Sequence, residues 1–368
     1  MKTEPTAPAM VAGLAAARSS GPPGATFRAW ENEADFDRMA EVFEAARTVD
    51  GTFWILSPRE IAADARATGE PEETIVLVEA GDEIVGWTSV WDQGLTSDGT
   101  RTLAHRGYVR PAWRDRGIGR ALLASAQANL RTLFEASPSP TDVPVGFESS
   151  AVSTASATRR LLERDGYRTV RYFIEMVRPD LDDPPPADLP VGITSRPPTP
   201  ADFMTVARAL NEAFKDHRAW PDFSDDQLAA LEANPLRAQY DIWQVAWDGD
   251  EVVGGVLGYI DPDENAAFGR QRGYTEAIFT RRPWRGRGIA RALIGRNLRV
   301  LRERGMIEAA LTVDTENPSG ALGLYERQGF RESGRIIAHR RDLGAETAPA
   351  RSADPPTCRT SGRLDGRC

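Results

Sequence analysis

Two side chains in the C-terminal half of the sequence, Glu276 and Tyr325, are suited to moving protons. A carboxylate can take a proton from an ammonium group, and a phenol can give one to a leaving group. Glu276 lies on a predicted strand over 273–280, and Tyr325 lies on a predicted helix over 317–327. The alternatives are a solvated carboxylate on an exposed strand face and a core aromatic at helical spacing.

A glycine-rich segment with the letters RGRGIA stands between these two residues, at 285–290. It follows a predicted strand and precedes a predicted helix over 289–304. Glycines let the backbone turn tightly and approach a ligand, and the free N–H groups of the helix start attract an anion such as a pyrophosphate. Arginines at 285, 287 and 291 add positive charge. The alternative is a solvent-exposed turn. The two common nucleotide loops, G-x-x-x-x-G-K-[ST] and G-x-G-x-x-G followed by an acidic residue, are absent.

The sequence contains one pattern twice. The letters WRDRGIGRAL at 113–122 are echoed by WRGRGIARAL at 284–293, which lie 171 positions later. The letters LLERDGY at 161–167 are echoed by LYERQGF at 324–330, which lie 163 positions later. The two echoes keep their order and nearly their spacing, which predicts two tandem copies of one domain.

These repeats and the proline-rich letters DDPPPADL between them divide the chain into five parts. Proline removes backbone donors and favours extended chain, so the middle segment is predicted to be a semi-rigid linker. The predicted parts are a disordered tail at 1–24, a first domain at 25–181, the linker at 182–189, a second domain at 190–345 and a disordered tail at 346–368.

Hydrophobic patterning in both copies indicates an α/β fold, in which mixed and mostly antiparallel sheets are flanked by helices. Predicted elements of the second copy include strands at 191–196, 240–247, 251–260, 273–280 and 308–314, helices at 200–215, 289–304 and 317–327, and closing strands at 330–333 and 335–341. The first copy repeats this order, with strands at 74–79 and 83–91 and a long helix from residue 118.

Composition excludes several classes of protein. With 45 basic and 54 acidic residues the net charge is −9, which argues against nucleic-acid and acidic-membrane partners and suits a cationic substrate. The two cysteines, Cys358 and Cys368, lie in the C-terminal tail, which fits a reducing, cytoplasmic compartment. The three histidines are scattered, so no metal site is expected. The oligomeric state stays open.

The combination of the RGRGIA loop with the letters NPSGALGLYERQGF at 317–330 resembles the GNAT acetyltransferase superfamily. The resemblance covers most of residues 25–345. The tandem arrangement is similar to that of the mycothiol synthases, a two-domain branch of this superfamily. The resemblance implies direct transfer of an acyl group from acetyl-CoA to an amine, without a metal or a covalent intermediate.

The resemblance also implies roles for individual residues of the second copy. Glu276 would take the proton from the amine, and Tyr325 would protonate the departing thiolate. Backbone amides from Arg287 to Arg291 would hold the pyrophosphate. The implied cofactor-binding residues of this copy are Phe279, Thr280, Arg285, Arg287, Gly288, Ile289, Ala290, Arg291 and Asn317.

The first copy keeps the loop but departs at the proton-moving positions. The offset of 171 aligns His105 with Glu276, and the offset of 163 aligns Leu162 with Tyr325 and Thr154 with Asn317. Leucine cannot protonate a thiolate, and a lone histidine on a strand is usually structural. The first copy is therefore predicted to be catalytically weak or silent. Its implied cofactor-binding residues are Arg114, Arg116, Gly117, Ile118, Gly119 and Arg120.

The acceptor is expected beside the first helix of the second copy. The implied substrate-binding residues there are Phe214, Asp216, His217 and Trp220, whose aromatic and acidic groups would suit an amine. The alternative is an ordinary helix end and turn. We expect an N-acetyltransferase acting on a primary amine of a small molecule, with acetylation of an amino-sugar thiol as its mycothiol-synthase-like form. A non-catalytic acyl-CoA sensor or scaffold is the alternative from another class.

Overall fold

A computed structural model of the chain describes residues 8–96, 99–140, 142–215, 224–232, 236, 238–316 and 320–343. The helices are α1 Pro8–Ser20, α2 Ala34–Asp50, α3 Pro58–Thr68, α4 Pro71–Thr74, α5 Ile118–Ala136, α6 Ser156–Arg164, α7 Phe203–Phe214, α8 Asp225–Glu232, α9 Pro262–Phe268, α10 Ile289–Glu303 and α11 Ala321–Arg327. The strands are β1 Thr26–Ala29, β2 Ile75–Ala80, β3 Glu83–Leu95, β4 Arg101–Val109, β5 Val145–Val152, β6 Arg168–Arg178, β7 Thr194–Arg196, β8 Gln244–Asp248, β9 Glu251–Val256, β10 Tyr259–Ile260, β11 Arg272–Tyr274, β12 Phe279–Thr280, β13 Glu308–Asp314 and β14 Arg331–Asp342.

The strands form two sheets flanked by helices, as the fold prediction requires. Within the described residues, one sheet has the order β1-β2-β3-β4-β5-β14-β6-β13-β11-β10 and the other has the order β12-β9-β8-β7. The pairs β4–β5 and β11–β13 are parallel, and the remaining pairs are antiparallel. The predicted mixed, mostly antiparallel α/β architecture is therefore confirmed.

The two halves exchange strands across the large sheet. Strand β6 of the first half pairs with β13 of the second, and β14, the last strand, pairs with both β5 and β6. Arg272 on β11 donates a hydrogen bond of 2.8 Å to Glu175 on β6, and both side chains are almost fully buried. Each half thus supplies a strand to the other. The boundary at 182–189 stays a proposal about the repeats in the sequence, because the sheet itself is continuous.

The linker at 182–189 has no helix or strand and lies against α10. Arg296 donates to the carbonyl oxygen of Ala187 at 3.1 Å, and Arg299 donates to that of Pro185 at 3.2 Å. A Cβ on Gly295 would lie 2.7 Å from the Pro185 oxygen, so glycine permits this close approach. The linker is thereby fixed to the second copy.

Residues 8–20 contradict the prediction of a disordered tail over 1–24. They form α1, which packs along α5. Met10, Leu14 and Ala17 lie on one face of this helix and are buried. Alanine is the strongest helix former, and three apolar residues on one face suffice to dock this alanine-rich segment as a helix. The predicted tail at 346–368 lies outside the described residues.

Candidate active site

The glycine-rich segment at 285–290 forms an exposed turn that leads into α10. Gly286 and Gly288 have φ values of 75° and 83°, in the left-handed region that glycine favours. A Cβ at either position would meet no atom within 4 Å, so this side of the turn is open. The first helical bond runs from the N–H of Ala292 to the carbonyl of Gly288 at 3.0 Å. The amides before it have no partner within the helix and can bind an anion.

The arginines of this turn divide into two kinds. Arg285 turns inward, where its Nε donates to the Thr280 carbonyl at 3.0 Å and its Nη2 to the Ala213 carbonyl at 3.1 Å. This side chain therefore braces the turn against β12 and α7. Arg287 and Arg291 are exposed beside the turn and can pair with an anion held there.

The predicted strand over 273–280 is interrupted directly before the turn. β11 pairs with β13 as far as Tyr274 and Ala310, and the chain then leaves β13 and continues as β12 beside β9. Ala277, in the interruption, has a φ of 45°, which is unusual for a residue with a side chain. β11 and β13 therefore separate after Tyr274, in the segment between β11 and β12.

Glu276 lies in this interruption and bridges the separating strands. Its Oε1 accepts a hydrogen bond of 2.9 Å from the backbone N–H of Thr312 on β13. Its own carbonyl accepts one of 2.9 Å from the N–H of Leu257. The half-buried carboxylate is thus held in one place by backbone groups.

Tyr325 lies on α11 and is buried against Phe330, with the two rings 6.4 Å apart. Burial raises the pKa of its phenol well above the ordinary value, and the negative charge of nearby Glu276 raises that pKa further. The phenol therefore stays protonated at neutral pH and can serve as a proton donor. The structure brings together the carboxylate and the phenol that the sequence predicted as a pair.

A polar group on the same face as Glu276 was missed from the sequence. Tyr274, two residues earlier on the strand, donates a hydrogen bond to Glu264 of α9. Arg270 donates to the same carboxylate and, at 3.1 Å, to the Tyr274 hydroxyl. Side chains two residues apart lie on the same face of a strand, and the letters DP at 261–262 mark the start of a helix. These two signals could have predicted that Tyr274 and α9 lie near Glu276.

The other predicted site residues of the second copy fall into three groups. The aromatic ring of Phe279 is buried and packs with half-buried Phe214, and Ile289 is also buried, so these side chains belong to the core. Ala290 is half-buried at the start of α10, and the Oγ1 of Thr280 is buried without a hydrogen-bond partner in the described part of the chain. The residues that lie outside the described ranges are Asn317, Asp216, His217 and Trp220.

The first copy repeats the turn at the start of α5. Gly117 has a φ of 87°, and Asp115, at φ 60°, takes the place of Gly286. Arg114 donates to the Val109 carbonyl at 3.2 Å and forms an ion pair with Asp50 at 2.7 Å. Arg116 lies with its guanidinium carbon 4.6 Å from the ring centre of Trp113. Of the remaining predicted residues of this turn, Ile118 is buried, Gly119 is half-buried and Arg120 is exposed.

The alignment of His105 with Glu276 is wrong by one residue. Arg106 on β4 pairs with Ser89 on β3. In the second copy Leu257, 168 positions after Ser89, donates its N–H to the carbonyl of Glu276. The same offset of 168 separates Trp87 and Gly255, which pair with Tyr108 and Phe279 respectively. Arg106 therefore occupies the place of Glu276 in the first copy.

The faces of the strands agree with this correction. Thr275 donates to Asn297 on α10 at 2.8 Å, and His105 lies on the corresponding helix-covered face of the first copy. Glu276 and Arg106 follow these residues and point to the opposite face.

The second copy carries one extra residue in its interruption, where Ala277 stands, so the offset changes from 170 before it to 171 after it. The alignment of Leu162 with Tyr325 holds. The backbone N–H of Tyr167 donates to the carbonyl of Leu162 at 3.0 Å, and the backbone N–H of Phe330 donates to the carbonyl of Tyr325 at 3.1 Å.

His105 is instead part of a buried polar cluster under α5. Its Nε2 lies 2.8 Å from the hydroxyl of Tyr167, and Gln127 donates to Asp165 beside them. Arg341, on the exchanged strand β14, pairs with Asp165 at 2.8 Å. Burial lowers the pKa of His105 to about 4 and raises that of Tyr167. His105 is therefore neutral at physiological pH and holds the core of the first copy.

This burial predicts a specific dependence of stability on pH. The unfolded chain binds a proton at His105 near the ordinary pKa of 6.5, whereas the folded chain does so at about 4. The folded state therefore loses stability as pH falls through this window. Between pH 7 and pH 4 the native protein should lose about 3 kcal/mol more than His105→Gln, whose amide can still bond to Tyr167. Urea unfolding at both pH values measures the difference, and equal losses in the two proteins would contradict this account.

The described part of the chain has neither a metal-binding cluster nor a membrane-spanning helix. No group of three or more His, Cys, Asp or Glu side chains is arranged to hold a metal ion there. No helix among those residues is long and apolar enough to cross a membrane.

Comparison with known proteins gives a consistent result for both halves. Residues 205–330 match the model described as the acetyltransferase (GNAT) family, and residues 71–169 match that of an acetyltransferase (GNAT) domain. A mycothiol acetyltransferase of Parafrankia sp. (strain EAN1pec) is 26% identical in an alignment of 333 residues that covers 84% of this chain and 95% of the relative.

Two further similarities extend this result. A mycothiol acetyltransferase of Thermomonospora curvata is 30% identical over 224 residues, which are 60% of this chain and 68% of the relative. A solved structure, a GCN5-related N-acetyltransferase from Sphaerobacter thermophilus, aligns with a TM-score of 0.68 and 29% identity, covering 88% of this chain and 96% of that one. The similarity in sequence and in fold thus runs through both copies.

Proposed function

Because the chain belongs to the GNAT acetyltransferase family, we propose that its second copy transfers the acetyl group of acetyl-CoA to a primary amine of a small molecule. The observation that supports this most directly is the position of Glu276. Its carboxylate lies where β11 and β13 separate, bonded to the Thr312 amide and near the buried Tyr325 phenol, on the segment that leads through β12 to the open turn of α10. A binding module would not need this pair.

The turn suits the cosubstrate of this family. Its glycines leave the backbone open, and the first amides of α10 together with Arg287 and Arg291 can hold a pyrophosphate. Acetyl-CoA, when bound, supplies an activated thioester carbonyl. Asn317 is proposed as a further contact.

The proposed reaction needs two proton movements by residues of this chain. Glu276 takes a proton from the acceptor ammonium, and the resulting amine attacks the thioester carbonyl. A carbon–nitrogen bond forms, the carbon–sulfur bond breaks, and Tyr325 gives its proton to the departing sulfur. The second proton that the nitrogen loses as the amide forms restores the Tyr325 phenol, and Glu276 releases its own proton to solvent. The high pKa of the phenol keeps this proton in place until negative charge develops on the sulfur.

The first copy is proposed to be catalytically silent. Its residue in the place of Glu276 is Arg106, whose guanidinium stays protonated and cannot act as a base. Leu162 stands in the place of Tyr325 and has no proton to give. The retained turn at 114–120 is proposed to keep some affinity for acetyl-CoA, although the carboxylate of Asp115 beside it disfavours an anion.

The acceptor class follows from charge and similarity. A net charge of −9 and a carboxylate at the reaction centre suit a cation. The relatives named mycothiol acetyltransferase support an acceptor of the amino-sugar thiol kind. Phe214, Asp216, His217 and Trp220 are proposed as its contacts.

A CoA-release assay tests this function. The protein is incubated with acetyl-CoA and a panel of amines that includes an amino sugar, a cysteinyl amine and a diamine. Free CoA is quantified after chromatographic separation, because a thiol acceptor would react with a thiol reagent. We expect acceptor-dependent release of CoA together with an acetylated amine of matching mass. Tight binding of acetyl-CoA without release for any acceptor would instead support a sensor.

A further inference from the structure

The first copy contains a partly enclosed cavity of about 250 Å³ on the face of its sheet that α2 and α3 cover. Met39, Ile61, Ile75 and Trp91 form most of its apolar wall. Its polar lining comes from Arg106, Asp64, Ser89, Thr68 and Thr74. The volume is sufficient for a small molecule of about ten non-hydrogen atoms.

The position of this cavity follows from the strand alignment established above. Arg106 occupies in the first copy the place that Glu276 occupies in the second. The cavity therefore lies where the second copy would present its carboxylate to an acceptor. The sign of the charge is reversed, so a ligand of this cavity differs in charge from the amine proposed for the second copy.

The surroundings of Arg106 prepare its guanidinium for an anion. Its Nε donates to Ser89 Oγ at 3.2 Å, and its Nη1 donates to Asp64 at 3.1 Å. The guanidinium carbon lies 5.7 and 5.8 Å from the ring centres of Trp87 and Trp91, which hold it between two indoles. Within the described residues, these bonds use two of its five N–H donors.

The partner carboxylate can be displaced. The Asp64 side chain is 53% exposed, and an ion pair with such a partner contributes little to stability. A ligand carboxylate would replace one carboxylate by another on the same guanidinium. A doubly charged phosphate would leave one negative charge uncompensated beside Asp64, so the single cation favours a singly charged ligand.

We propose that the first copy binds a small carboxylate in this cavity, with Arg106 holding the carboxylate and the apolar wall covering an alkyl or aryl body. Ser89 orients the guanidinium through its hydroxyl. Asp64 pairs with the Arg106 guanidinium when the ligand is absent and competes with the ligand for this cation. The first copy is then a binding site for an anion beside a catalytic copy that takes a cation.

A fluorine NMR titration of the full-length protein tests this site, with 4-fluorobenzoate as the probe and 4-fluorobenzylamine as its cationic match. We expect line broadening and a saturable shift for the carboxylate. Any binding of the amine belongs to the acceptor site of the second copy and should be the same in the native protein, in Arg106→Gln and in Asp64→Asn. Arg106→Gln should weaken carboxylate binding about tenfold or more, because the charged donor is lost. Asp64→Asn should strengthen it several-fold, because the competing carboxylate is lost while Arg106 remains.

The Asp64→Asn variant keeps the test decisive if Arg106→Gln fails to fold. A cation site would respond in the opposite way, with weaker amine binding in Asp64→Asn. The proposal is overturned if the probe carboxylate does not bind, if Asp64→Asn does not strengthen its binding, or if a folded Arg106→Gln binds it as well as the native protein does. None of these outcomes depends on turnover by the second copy, so the proposed function stands or fails separately.

Discussion

Glu276→Gln is expected to lower kcat/KM for the amine acceptor by about 10²- to 10⁴-fold, the usual contribution of a positioned base. The glutamine carbonyl can still accept the hydrogen bond from the Thr312 amide, so the interruption between β11 and β12 keeps its shape. Only the ability to take a proton is removed. Steady-state kinetics with acetyl-CoA and the best acceptor of the panel measure the effect.

A matched control separates this effect from a general loss of charge. Glu303→Gln removes one carboxylate from the exposed last turn of α10 and should leave kcat/KM within about twofold of the native value. The affinity of Glu276→Gln for acetyl-CoA should also be unchanged, because the carboxylate does not belong to the turn. A loss of less than about threefold in Glu276→Gln would assign the base to another group.

Tyr325→Phe is expected to lower kcat by about 10²-fold or more, because the departing thiolate loses its proton donor. The ring remains packed against Phe330, so the fold and the turn should be preserved. Since burial and the charge of Glu276 raise the phenol pKa, the native enzyme should keep this donor protonated throughout the neutral and mildly alkaline range. The kcat of native protein and variant, compared from pH 7 to pH 9, measures the effect.

Tyr172→Phe provides the control for this variant. Tyr172 is 38% exposed on β6, and the loss of its hydroxyl should change kcat by less than about twofold. Tyr325→Phe should bind acetyl-CoA with native affinity. A variant with native kcat would show that the sulfur leaves unassisted or is protonated by another group.

Local patterns in the sequence were sufficient to predict the main elements around the candidate site. The helix over 289–304 and the strand over 308–314 agree with α10 and β13 to within one residue. A strong periodicity of hydrophobic residues and clear start and stop signals define such elements without long-range information. The glycine turn stands directly before one of these elements, whereas the roles of Glu276 and Tyr325 were implied by the resemblance to the GNAT superfamily and stay predictions. The predicted family and its tandem arrangement were confirmed by the comparisons.

Features that depend on long-range pairing could not be predicted. Strand exchange between the copies leaves the local pattern unchanged, because β6 and β14 each close their own copy in the sequence and each pairs with the equivalent strand, β13 or β5, of the other copy. The correspondence between Glu276 and Arg106 was missed because one extra residue, at Ala277, shifts the register inside a strand. A single inserted residue moves every earlier side chain to the other face, so an alignment by constant offset selected His105.

The single-turnover rate of the double variant Glu276→Gln/Tyr325→Phe tests the central claim most directly. The first copy is intact in this protein, and so are both glycine turns. We predict that it binds acetyl-CoA with native affinity but consumes it, with saturating acceptor, at the rate seen without enzyme. Consumption within about tenfold of the native rate would contradict the account and would place the chemistry outside the Glu276–Tyr325 pair.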